Sequence, residues 1–109
     1  MGLIRTELSD HLSYYIKPSG EVTAVMPDQD ATFTLKFIQD FVGPSIELAC
    51  YTREGYALIR NAKAHTDGMP VNEIASSVLA EATGSTEPLR GRAFLIHPDH
   101  FDRRVVPAA

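Results

Sequence analysis

The chain has no second cysteine. Cys50 stands alone among 109 residues, so no internal disulfide can form, which fits a reducing compartment. It has no long apolar run either. Nothing approaches the roughly 18 consecutive apolar residues of a membrane-spanning helix. Residues 1–10 lack an apolar core after a basic start, so they do not read as a secretory signal. The expectation is a protein that stays in the cytoplasm where it is made. A basic surplus is missing as well: the net charge is −4 and the pI about 5.4. Nucleic-acid affinity comes largely from neutralising phosphates, so direct nucleic-acid binding is not expected. Finally, no Gly-x-Ser-x-Gly elbow and no glycine-rich phosphate loop occur. No enzyme class and no cofactor is indicated.

What is present suits one small globular domain. Apolar residues make up 44% and charged residues 22%, close to the globular average. A chain this long buries enough surface to hold a core without metals or disulfides. Residues 1–11 mix apolar and charged positions and read as a lead-in. Residues 12–17 and 21–26 are β-formers joined by Pro18-Ser19-Gly20, a hairpin, with Val22, Ala24 and Met26 on one face. Pro27 ends the second strand. Phe33, Phe37, Ile38, Phe41 and Val42 then recur at three- and four-residue spacing, a helix stripe that Thr32 or Thr34 can cap. Gly43, as the left-handed closing residue, and Pro44 end it. Residues 46–52 and 56–60 form a second hairpin around Arg53-Glu54-Gly55. Residues 61–72 are the longest polar loop. Residues 73–83 carry Ile74, Val78, Leu79 and Ala82 on one face, with Asn72 as N-cap and Gly84 as terminator. Residues 90–97 read as a last strand ended by Pro98.

The order is therefore ββαββαβ. It implies an α+β fold: a single domain over 12–98 with a mostly antiparallel sheet of about five strands and two helices. Adjacent hairpins favour both helices on one face of that sheet. Residues 99–109 read as a loose C-terminal tail, although Val105-Val106 could dock. The first or last strand, as a short sheet edge, could pair across a two-fold axis to give a homodimer.

Several residues could carry chemistry. Cys50 lies in the apolar run Ile46-Glu47-Leu48-Ala49-Cys50-Tyr51 and reads as a buried core thiol rather than a nucleophile. Glu47 is expected on the solvated strand face, with partial burial as the alternative. His97, His100 and Asp102 resemble a ligand cluster, but Pro98 keeps the histidines off one helical face. Completing a zinc set would require His65 or His11 to arrive through the fold, so no metal site is assigned. Arg90, Arg92, Arg103 and Arg104 form a basic edge or an anion contact. Asn72 sits at a helix start, where free N–H groups and the dipole favour anions. Asn61, Lys63 and His65 in the preceding loop, with Asn72, Arg90 and Arg92, make up the candidate anion site. Helix capping is the plainer role for Asn72.

The run from Thr34 to Gly43 (Thr-Leu-Lys-Phe-Ile-Gln-Asp-Phe-Val-Gly), followed by Ile46-Glu47, resembles the central signature of domain-of-unknown-function family 3846. So do Gly68-Met69-Pro70-Val71-Asn72 with Ala75, and the last strand after Gly91. The resemblance spans roughly 15–96. The family usually has two glycines after the helix valine, whereas Pro44-Ser45 follow Gly43 here, so that turn must differ in shape. The resemblance implies a small accessory protein of a phage, plasmid or other mobile element, in the cytoplasm of a bacterial host. The function expected on that basis is binding and modulating a host protein, such as a defence component. The alternative is a protein that sequesters a small anionic ligand such as a nucleotide.

Overall fold

The computed structural model describes residues 12–28 and 31–106. The lead-in 1–11, with His11, and residues 107–109 of the expected tail lie outside them.

Five strands and two helices follow in the expected order. They are β1 (Ser13–Ile16), β2 (Val22–Val25), α1 (Leu35–Val42), β3 (Ile46–Tyr51), β4 (Ala57–Asn61), α2 (Glu73–Thr83) and β5 (Ala93–Ile96), with a short 3-10 turn at Pro98–His100. All pairings are antiparallel and the strand order is β2-β1-β5-β4-β3. The last strand in sequence is thus the middle of the sheet. The free edges are β2 and β3, not the first and last strands.

The position of β5 follows from its composition. Ala93, Phe94, Leu95 and Ile96 are all buried. Side chains alternate across a strand, so four successive buried positions require cover on both faces. Ala93 and Leu95 join Tyr14, Ile16, Leu58, Ala75 and Leu79 in the core under α2. Phe94 and Ile96 join Phe33, Ile38, Val42 and Ile59 in a second core under α1. The helices therefore lie on opposite faces, making three layers. The expectation of a single helical face fails because hairpin order says nothing about which face a connecting helix crosses. Each large apolar side chain so buried contributes about 1.5–3 kcal/mol.

Local chemistry fixes the ends of the elements. The Thr34 hydroxyl accepts from the Phe37 N–H and caps α1, leaving Phe33 outside the helix but buried in its core. Gly84 closes α2 in the left-handed conformation. Gly43 closes α1 differently, at φ 137° and ψ 168°, a region open only to glycine. Arg90 and Gly91 precede β5 rather than belonging to it: Arg90 bridges Val71, and Gly91 has φ 79°. Residues 99–106 are not detached. Val106 is 5% exposed and packs in the α1-side core with Val105 and Phe101 beside it. No helix among the described residues is long and apolar enough to cross a membrane.

Candidate functional site

Asn72 is fully buried, and its amide oxygen and both amide hydrogens are engaged. Its Oδ1 accepts from the Ala75 N–H, which caps α2. Its Nδ2 donates to the Ile16 carbonyl and the Gly91 carbonyl, each at 2.9 Å. One side chain thus starts a helix and joins β1 to the segment entering β5. It has nothing left to offer an anion. The capping role is the one the structure supports, and it goes further than a cap.

Of the other five residues of the expected anion site, four line two hollows and Lys63 lines neither. Asn61, His65 and Arg90 line a pocket of about 250 Å3 with Glu47, Arg60 and Glu87. Its charges are mixed. Arg60 Nε lies 2.7 Å from Glu47 Oε2 on directly opposed positions of β3 and β4, so Glu47 is half-buried and paired rather than bare on a solvated face. Arg90 Nη1 donates to the Met69 carbonyl, and its buried Nε has no partner. Lys63 is exposed, and its backbone N–H donates to Asn61 Oδ1.

Arg92 belongs to the second hollow, a groove of about 940 Å3 where the β1–β2 turn, the end of α1 and the 61–72 loop meet. Apolar walls come from Pro18, Phe41, Val42, Pro44, Met69 and Pro70. Lys36, Asp40 and Arg92 supply the charges, and Lys36 pairs with Asp40 at 3.3 Å. Arg92 Nη1 donates to the Phe41 carbonyl at 3.3 Å, and its guanidinium carbon lies 5.3 Å from the Phe41 ring centroid. A cation here meets the negative end of the helix dipole. Phe41 also stacks on Tyr15 at 3.8 Å and 9°. Burial, then the charge of Asp40, push the Tyr15 phenol above its ordinary 10.0, so it stays neutral.

The backbone at this corner is built around Asn61. Its Nδ2 donates to the Val42 carbonyl, one of the groups the helix end leaves free. A Cβ on Gly43 would stand 2.6 Å from that nitrogen. Glycine is required at 43 by that approach as well as by its φ. Asn61 is therefore a structural clamp whose far side faces the pocket.

The histidine cluster is tied into the frame. Ser13 Oγ accepts from the His97 N–H at 2.9 Å and bonds His100 Nδ1 at 2.9 Å. His97 Nδ1 accepts from the Asp99 N–H. Asp102 is engaged by Arg104, whose hydrogen bonds hold its carboxyl below the usual carboxylate range. Among the described residues no three His, Cys, Asp or Glu side chains converge as metal ligands. Ser13 bonds a histidine, as a hydrolytic nucleophile would, but it is wholly buried and no substrate can reach it.

Sequence reasoning reached Arg92 and Asn61 but missed the apolar wall of the groove. Its signal was the pair of breaker sites Gly43-Pro44 and Met69-Pro70, where chain reversals leave prolines and a methionine outside the regular elements. Comparison of the chain with protein-family models, with curated proteins and with solved structures finds no match.

Proposed function

We propose that this chain is a small non-enzymatic accessory protein that binds another protein, and that it seats a segment of that partner in the groove at the end of α1. One observation carries the reading: the larger of the two hollows has mainly apolar walls, with Lys36, Asp40 and Arg92 among them. Lys36 and Arg92 outnumber Asp40 there, although the whole chain is acidic. The favoured occupant is an apolar segment carrying a carboxylate for Arg92, which gives complementarity and orientation. The resemblance to family 3846 supplies the setting, in which the partner is a bacterial host protein modulated by a mobile element. The sequestering reading ranks second. It has in its favour that Asn61, His65 and Arg90 share one pocket, and against it that Glu47 and Glu87 share it too.

A photo-crosslinking residue at Gln39, in the groove, and another at Ala80, exposed on α2, test this in the bacterial host. A protein adduct from position 39 alone, lost on Arg92→Glu, is the expected result. Adducts of equal yield from both positions would remove the groove from the reading. Native mass spectrometry showing a bound mass of a few hundred daltons and no protein adduct would move the conclusion to the small-ligand alternative.

A further inference from the structure

We infer that β2 is a self-pairing edge through which two copies of this chain join into one continuous sheet. Among the described residues nothing pairs with its outer side. The inference starts from the register of the first hairpin. The Lys17 N–H donates to the Glu21 carbonyl, closing a hydrogen-bonded pair. Hydrogen-bonded and non-bonded pairs alternate along an antiparallel ladder. Ile16↔Val22 is therefore non-bonded, Tyr15↔Thr23 bonded and Tyr14↔Ala24 non-bonded. The N–H and C=O groups of Val22 and Ala24, and by continuation Met26, point away from β1 to the free edge. Pro27 follows at an inward-pointing position, so its missing N–H costs the outer edge nothing.

Two-fold symmetry restricts the pairing, and among the registers it permits the one centred on Ala24 opposes all three outward residues to one another. An axis perpendicular to the sheet keeps each face on its own side, so only residues of like parity can oppose each other. Centring the axis on Ala24 sets Ala24 against the partner subunit's Ala24 and Val22 against the partner subunit's Met26. Each of these pairs exchanges two backbone hydrogen bonds. The side chains brought together are all apolar and share one face, and they include Met26, which is 55% exposed in the single chain. No like charges meet: Glu21 falls opposite a proline and Asp28 opposite a glycine.

The two edges differ in how they are guarded. β3 has a register irregularity between Leu48 and Cys50 and carries Glu47, devices that discourage pairing. β2 runs Val-Thr-Ala-Val with no charge, proline or bulge. Shortness is its only guard. A pair this short buries less than the roughly 1,600 Å2 of a standard interface, so association belongs to the weak class.

Sedimentation equilibrium of the full chain from micromolar to millimolar concentration reads the outcome. The wild-type chain is expected to approach twice its mass at the upper end. Ala24→Lys and Ala24→Glu each place a like charge against itself on the axis. Each is expected to weaken association by at least about tenfold, because opposed like charges destabilise a strand pair. An equimolar mixture of the two is expected to recover the dimer. Ala24 is exposed, so both variants should give the wild-type circular dichroism. A wild-type chain that stays monomeric throughout overturns the inference. So does a dimer that either variant leaves intact, and so do variants whose mixture fails to reassociate.

Discussion

The Ser13 hydroxyl and His100 Nδ1 lie 2.9 Å apart although 87 positions separate them in the chain. The same hydroxyl receives the His97 N–H at 2.9 Å. One small side chain on β1 thus fixes both ends of the turn that follows β5.

Replacing Ser13 with Ala removes both bonds and leaves a buried N–H and a buried ring nitrogen facing a methyl group. The expected loss is about 1–3 kcal/mol, the cost of stranding buried polar groups. Urea denaturation measures it. An unchanged midpoint would mean that the turn is held by other contacts.

Asn72 separates a cap from a tie. Asp caps as well as Asn does, so an ordinary N-cap tolerates Asn72→Asp. Here the new oxygen would face the Ile16 and Gly91 carbonyls that Nδ2 now bonds. Both Asn72→Asp and Asn72→Ala are expected to lose more than about 2 kcal/mol, the upper range of a cap alone. If the aspartate variant melts with the parent, Asn72 is only a cap.

Cys50 gives a pH dependence of known sign. Burial pushes its thiol above the ordinary 9.0, and the nearby Arg60 cation, pulling downward, loses. The folded state therefore favours the protonated thiol more than the unfolded state does. That contribution to stability is present below pH 9.0 and disappears as pH rises through the folded-state value. The same shift predicts slow alkylation of the native chain at mildly alkaline pH and fast alkylation in denaturant. Equal rates in both would show that the thiol is open to solvent. Comparing wild type with Cys50→Ala in urea at pH 8 and pH 10 isolates the stability change.

Element identities were legible because their signals are local. Pro18-Ser19-Gly20 turns the first hairpin, Asn72 starts α2 and Gly84 stops it. The layer arrangement was also written in the sequence, in the unbroken apolar run Ala93-Phe94-Leu95-Ile96, which has no solvated face. Strand order emerges only when β5 enters between β1 and β4. The site was less legible. Strict alternation would put Arg90 and Arg92 on one face. Gly91, at φ 79°, breaks the strand between them, and their guanidinium groups bond the Met69 and Phe41 carbonyls respectively. Nearness in sequence grouped six residues that the fold distributes over two hollows, a buried tie and, for Lys63, the open surface.

The central place of β5 has a consequence for synthesis on the ribosome. The hairpins β1–β2 and β3–β4 emerge early, and each can zip locally, but in the finished sheet they do not pair with each other. Their shared neighbour is translated after both of them. Until it leaves the exit tunnel, the nascent chain is two separate ribbons with unfilled inner edges and half-covered apolar faces, open to chaperones and to mispairing. Folding is then a single late insertion that completes both cores together, and a message cut short before β5 yields fragments without a common centre.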